Sequence, residues 1–238
     1  MPTTAEWLPL GTAFVLGLLH ALEVDHMVAV TNFVSTRPAV RGAAAFGLRW
    51  GLGHSIVVLL AGGILLATGV RWSSRYEALG ELLVGLLLIG IGVWAVRASR
   101  QLHLHTAAEH GDHAHLHIHA QGGVAHEHDH PEPAPHRPHA HRHAITLVGM
   151  AHGLAGTTAV VALVPVTLVE RLSVGLAYLA AFGVGTILAM ALFAVLVART
   201  MHSAVVRSLV GGQRLGALTG AAGIAVGIWW VVRALAAG

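Results

Sequence analysis

The sequence predicts an all-α polytopic membrane protein, with six transmembrane helices arranged as two inverted three-helix repeats. Three observations predict it. The 238 residues are 55% apolar and only 11% charged, with a mean hydropathy of +0.70, whereas soluble chains carry roughly 25% charged residues. Six apolar segments can be counted, at roughly 8–34, 43–69, 78–98, 145–168, 173–198 and 215–236, and a spanning helix needs about 20 such residues. Short strings recur in the same order in the two halves. No period-2 alternation argues for a barrel, so helices are the expected spanning element.

Taken in order, the first residues, MPTTAEWLPL, lack a basic stretch and contain Glu6. The first apolar run is therefore expected as a retained helix and not a cleaved signal. That run is long for one span, so it should tilt or break near its charged residues. "STRPAVRG" at 35–42 and "RWSSR" at 71–75 divide the next helices. Residues 103–143 differ completely, holding fourteen of the nineteen histidines among Pro, Ala, Gly and acidic residues. Such low-complexity sequence builds no core and predicts a disordered loop. The expected organisation is a first three-helix repeat over 1–100, a His-rich disordered loop over 101–144, and a second repeat over 145–238.

Arginine sets the orientation. Arg37, Arg41, Arg97, Arg100, Arg137, Arg142, Arg199, Arg207 and Arg214 fall on one side of the expected helices. Arg71, Arg75, Arg171 and Arg233 fall on the other. By the positive-inside rule the first side is cytoplasmic. A multi-pass protein of the cytoplasmic membrane follows, with the His-rich loop inside and both termini outside. The high pI is read as topology and not as a nucleic-acid footprint, so the expected partners exclude nucleic acid and include the lipid bilayer. There is no Cys, which excludes disulfides and thiolate metal sites.

The repeat rests on three matches. "GLLHALEVDHMV" at 17–28 aligns with "GMAHGLAGTTAV" at 149–160, pairing Gly17 with Gly149 and His20 with His152. "GLGHS" at 51–55 aligns with "GVGTI" at 183–187. Gly85, Gly92 and Trp94 match Gly220, Gly227 and Trp229 at identical spacing. Three helices per repeat give the halves opposite orientations, an arrangement that in transporters puts the site at the repeat interface near the midplane.

Ionisable groups inside a bilayer cost about 2.5–3.5 kcal/mol each and usually mark function. The candidates are His20, Glu23, Asp25 and His26 in the first segment, His54 in the second and His152 in the fourth. All offer nitrogen or oxygen to a metal ion; imidazole suits Ni, Co, Zn and Cu. On a regular helix His20 and Glu23 share a face, as do Glu23 and His26, but Asp25 lies about 140° from His20. Either the helix breaks near Val24 or some of these groups orient a ligand histidine instead of binding the ion. Glu81 and Glu170 are expected as solvated helix ends. In the loop, His113, His115, His117, His119, His126, His128 and His130 are candidates for capturing metal on the cytoplasmic side.

"HALEVDH" has the form His-x4-Asp-His and resembles the signature of the nickel/cobalt transporter family, in which a His-Ala-x-Asp-x-Asp-His string sits in a membrane helix. His20, Ala21, Asp25, His26 and, further on, Asn32 match it; "LGHSIVV" at 52–58 resembles that family's second motif. The resemblance implies a metal-binding role for His20, Asp25, His26 and His54. Glu23 stands where the family has an Asp. "HGLAGTT" in the second half is similar to the six-helix branch, which includes urease-accessory membrane proteins, and the related nickel/cobalt efflux proteins also carry a His-rich loop. The implied function is secondary transport of nickel and/or cobalt through a His/Asp site in helices one, two and four. Import or export stays open. The alternatives are a transporter of zinc or another divalent metal, or a membrane accessory protein for nickel-enzyme maturation. No Walker-type loop is present, so the chain is expected to be neither an ATPase nor another enzyme. Its expected partners are a divalent metal ion and, on the accessory reading, maturation proteins, with no cofactor beyond the transported ion.

Overall fold

The computed structural model describes residues 4–36, 39–69, 74–100, 102–105, 115–118, 145–155 and 171–237. The helices are α1 (Thr4–His20), α2 (Val24–Thr36), α3 (Val40–Thr68), α4 (Ser74–Arg100), α5 (Ile145–Ala155), α6 (Leu172–Arg207) and α7 (Leu209–Ala237). Two four-residue strands, β1 (Leu102–His105) and β2 (His115–Ile118), pair antiparallel.

Four of these helices, α3, α4, α6 and α7, are long and apolar enough to cross a membrane, and the bent pair α1–α2 passes the same test when taken together, as a broken span or a re-entrant loop. The sixth expected span, 145–168, is described only as far as Ala155, and that piece alone is too short to cross. The first segment does break where its charges lie. Helical bonding lapses over Ala21–Glu23, where the Leu22 and Glu23 amides bond three residues back to the Leu19 and His20 carbonyls. The chain leaves this turn bent by 56°.

Local chemistry explains the other ends. Gly69 closes α3 in the left-handed conformation (φ 66°), its amide bonded to the Leu65 carbonyl at 2.9 Å. Ser208 separates α6 from α7. Its amide bonds the Ala204 carbonyl, and its hydroxyl accepts from the Gly211 amide at 3.1 Å as the cap of α7. The apolar segments read from the sequence end near 198 and resume near 215. The helix instead runs on to Arg207, because Arg, His, Met and Ala are compatible with helix and lie beyond the apolar run without breaking it. Within the stretch 101–144, which was expected as a His-rich disordered loop, β1 and β2 pair antiparallel, and the rest of it lies outside the described residues. Alternating His and Leu/Ile is a strand pattern, and it was hidden within a composition that otherwise argues for disorder.

Packing is set by glycine. α3 lies along α6, α4 along α7, and α1 against α6, while α2 is surrounded by α4, α6 and α7. A Cβ at Gly85 would fall 2.7 Å from the Gly227 carbonyl oxygen, and one at Gly227 would fall 2.6 Å from that of Gly85. Gly92 and Gly220 face each other in the same reciprocal way. Elsewhere Gly17 abuts the Phe182 backbone and Gly149 the Trp50 backbone, while Gly185 meets Phe14 and Gly53 meets Thr146. Such contacts let helices approach closely where no hydrophobic force draws them together. Glu81, expected as a solvated end, instead pairs with Arg233 at 3.0 Å across α4 and α7.

Candidate metal centre

The broken helix builds the centre. His20 ends α1, and Asp25 and His26 open α2 after the three-residue turn. Helix ends carry partial charges: the C-terminus of α1 is negative and favours a cation, and Asp25 answers the positive N-terminus of α2. α3 adds His54 and α5 adds His152, both buried. The two His-bearing helices are held close by glycine, since Gly153 sits against the His54 backbone.

Four imidazoles pack together. Ring centroids lie 4.6 Å apart for His20 and His26, 5.3 Å for His20 and His54, 5.1 Å for His26 and His54, and 4.3 Å for His26 and His152. Phe182 and Trp50 flank them, 5.2 Å from His20 and 5.9 Å from His152.

Hydrogen bonds assign each ring a role. Asp25 bridges two histidines: His26 Nδ1 donates to Oδ1 at 3.1 Å, and His152 Nε2 donates to Oδ2 at 3.0 Å. His20 Nδ1 donates to Glu23 Oε1 at 2.9 Å. A carboxylate only accepts, so the nitrogen facing it carries the hydrogen and the opposite nitrogen carries the lone pair. Those opposite nitrogens, His20 Nε2, His26 Nε2 and His152 Nδ1, are buried with no partner among the described residues, as are both nitrogens of His54. Each unsatisfied buried group costs about 1–3 kcal/mol. Several such groups gather here in one apolar interior.

Two overlapping ligand groups result: His20, His26 and His54, and Asp25, His26 and His152. In each, one ligand atom per residue lies within 4.8 Å of the others. Metal–nitrogen bonds of about 2.0–2.1 Å put the ligands of one ion about 3 Å apart, so atoms at the outer limit of these groups would have to draw together to share one ion. The first group carries free lone pairs. In the second, Asp25 is already engaged by both histidines.

The structure thus brings together His20, Asp25, His26, His54 and His152. Glu23 stands at the rim, with its side chain 59% exposed, and touches the centre only through His20. Of the loop candidates, His115 and His117 fall in β2, while His113, His119, His126, His128 and His130 lie outside the described residues. Sequence reasoning missed Trp50, whose indole nitrogen is buried without a partner. Its position directly before GLGHS was the available signal. It also gave Asn32 no role, although that amide is fully buried, with both polar atoms unpartnered, two turns along α2 from Asp25.

A kinked, apolar span holding imidazoles with free lone pairs belongs to a multi-pass membrane protein of the metal-handling class. Comparison with known proteins gives the family. The profile of the NicO family, described as high-affinity nickel-transport protein, matches residues 7–234, and the chain belongs to that family. It is 31% identical over 191 residues, 79% of this chain and 75% of the relative, to the urease accessory protein UreH of Bacillus sp. strain TB-90. It is 33% identical over 106 residues, 41% of this chain and 30% of the relative, to the high-affinity nickel transport protein of Cupriavidus necator. It is also 30% identical over 99 residues, 40% of this chain and 45% of the relative, to the "Putative nickel/cobalt efflux system MJ1092" of Methanocaldococcus jannaschii. No solved structure matches the chain.

Proposed function

We propose that this chain is a secondary transporter that carries Ni²⁺, and Co²⁺ as a close second substrate, across the cytoplasmic membrane by way of the His20–His26–His54 cluster. The observation that carries this is the set of buried imidazole nitrogens whose partner nitrogens are fixed by Asp25 and Glu23. A hydrated ion sheds water onto His20 Nε2, His26 Nε2 and His54. Asp25 and Glu23 hold tautomers and ring orientation, and His152, fixed by the same Asp25 carboxylate, offers its free Nδ1 beside His26. Neutral imidazoles in a water-poor site favour Ni²⁺ and Co²⁺ over harder ions such as Mg²⁺. The family membership and the nickel-named relatives support this substrate class. The UreH relationship supports delivery of the ion towards nickel-enzyme maturation proteins as partners.

The two halves act as inverted repeats of three spans, with the ion between them. The reciprocal contacts support this: Gly17 on Phe182 answers Gly149 on Trp50, and Gly185 on Phe14 answers Gly53 on Thr146. In each case the residues exchange with their counterparts in the sequence alignment, as a two-fold axis demands. Asp25, His26, Asn32, Ser35 and Thr36 are the buried polar residues of α2. They lead from the cluster towards the Arg-rich end, which is cytoplasmic, with both termini outside.

The test is Ni²⁺ and Co²⁺ flux into vesicles of purified protein that enclose a metal-responsive dye. His26→Ala is expected to abolish flux, while His202→Ala, on an exposed position of α6, keeps it. Flux of Zn²⁺ but of neither Ni²⁺ nor Co²⁺ would replace the substrate. No flux of any of the three would leave an accessory role without transport.

A further inference from the structure

We propose that the cleft between α3 and α4 is a binding site for an anionic membrane lipid, its acyl chain in the cleft and its phosphate at Arg97. α3 packs along α6, and α4 along α7. Between the two pairs runs a cleft of about 610 Å³, within the range of about 300–1,000 Å³ usual for ligand pockets. α2 contributes Phe33 to its wall, α3 Phe46 and Trp50, α4 Trp94, and the start of α5 Val148. The lining is aromatic, aliphatic and glycine throughout. A metal ion or polar solute would lose its water there without gaining partners. From Ala39 to Trp50 the α3 wall runs about 17 Å, a long apolar slot suited to a chain of methylenes.

Glycine keeps the slot deep. Leu79, Leu83 and Leu86 form an exposed row along α4, and Gly90 takes the next position of that row. A Cβ at Gly90 would meet nothing within 4 Å among the described residues. One at Gly42, on the α3 wall, would meet only Ala39 Cβ at 3.8 Å. Gly85 and Gly92 of the same α4 serve close contact with α7. Gly90 serves none, although glycine inside a helix destabilises it. The Phe33 and Phe46 rings stack at 4.1 Å, and Trp94 lies 5.4 Å from Phe33, so much of the wall is aromatic surface against which methylenes pack. At the deep end, buried Trp50 lies 5.9 Å from the His152 ring. The cleft therefore reaches to within one aromatic side chain of the histidine cluster.

The mouth selects the head group. Trp94 is 40% exposed, and Arg97 follows it by three residues on the same face of α4. Arg41 stands beside Gly42 at the start of α3, and both arginines are exposed. Residues 33–50, 90–100 and 145–148 hold five Arg and no Asp or Glu, so the local charge complements a phosphodiester. Tryptophan sits at the head-group level of a bilayer, and basic residues between membrane helices attract anionic head groups. An apolar slot below an Arg and Trp mouth is matched by one molecule with an anionic head and an apolar tail. The surrounding bilayer supplies it. This site does not depend on the transport reading.

The experiment is native mass spectrometry of delipidated full-length protein, titrated with dioleoyl phosphatidylglycerol and, separately, with dioleoyl phosphatidylcholine. Gly90→Leu puts a side chain into the cleft without a clash, and Gly42→Leu does so from the α3 wall. Gly11→Leu is the control, since its Cβ also meets nothing within 4 Å among the described residues but lies on α1, outside the cleft. Each methylene withdrawn from apolar contact weakens binding about fourfold. Either cleft variant is therefore expected to bind the tightest lipid at least about tenfold more weakly, while Gly11→Leu matches the wild type. Arg97→Gln, an exposed change that leaves the packing alone, is expected to cut the preference for phosphatidylglycerol over phosphatidylcholine about fivefold. If both cleft variants bind phosphatidylglycerol as Gly11→Leu does, the lipid is merely annular and the cleft site is wrong. Equal binding of the two lipids by the wild type would overturn the anionic head group.

Discussion

Asp25→Asn isolates what the bridging carboxylate does. The substitution keeps size and shape but turns one of two acceptors into a donor. Asp25 now accepts from His26 Nδ1 and His152 Nε2 at 3.1 and 3.0 Å. An asparagine can accept from only one of them. Its amide nitrogen then faces a ring nitrogen that must surrender its hydrogen, so that histidine changes tautomer. Its far nitrogen, His26 Nε2 or His152 Nδ1, becomes N–H and ceases to be a ligand. Loss of such an orienting partner costs about 10–100-fold in metal affinity, or about 1.4–2.7 kcal/mol at 1.36 kcal/mol per tenfold. In vesicle flux the expected result is a KM for Ni²⁺ raised about 10–100-fold, with protein yield and monodispersity retained. Flux distinguishes the membrane cluster from histidines in the loop, which a bulk titration does not. A KM within about twofold of wild type in folded Asp25→Asn protein would refute the tautomer argument, since the ring assignments leave no other route to an intact ligand set.

Other expectations follow from the same geometry. Glu23→Gln should raise the KM for Ni²⁺ less than Asp25→Asn does, because its exposed carboxylate is replaceable by water at His20 Nδ1; flux titration measures it. Gly227→Leu forces α7 away from the Gly85 carbonyl that it now approaches, and overpacking of this kind costs about 1–3 kcal/mol or more. The check is thermal unfolding in detergent, where a lower melting temperature is expected. Asn32→Leu removes a buried amide with no partner, which should stabilise the fold by about 1–3 kcal/mol while slowing Ni²⁺ flux. Faster or unchanged flux would take Asn32 off the ion path. Because the native chain has no cysteine, a single Ala120→Cys is the sole thiol. A membrane-impermeant reagent should label it only after cells are opened, if the loop is cytoplasmic.

The centre was legible in sequence because polar residues in an apolar run have few innocent explanations. His20, Asp25, His26, His54 and His152 stood out on composition alone. The angular mismatch between His20 and Asp25 on a regular helix left either a break near Val24 or a set of orienting groups, and the structure has a break at Ala21–Glu23. What the pattern could not supply was the division of labour, since ligand and orienting group are the same residue types and differ only in which atom faces which. Asp25 bridging α2 and α5 depends on a contact 127 residues apart in sequence. Helix lengths were misjudged for another reason. The eye stops a span where apolar residues stop, while the backbone of α6 keeps its hydrogen bonds through Arg199 and His202 to Arg207. The β1–β2 pair escaped because four residues of alternation carry little weight against a low-complexity background.

The continuity of α6 also makes it a lever. Its 36 residues amount to about 54 Å of rod, while the hydrocarbon core is about 30 Å thick. Near one end, Phe182 rests on the His20 ring and Gly183 takes the Ser55 hydroxyl bond. Arg207, at the other end, is about 37 Å further along the axis. A tilt of about 10° around Phe182, too small to disturb more than side chains at the cluster, swings Arg207 through about 6 Å. With Ser208 as a one-residue joint, that swing passes directly to the start of α7. A spin or fluorescence label at Arg207 would report any such tilt, magnified by the length of a single helix.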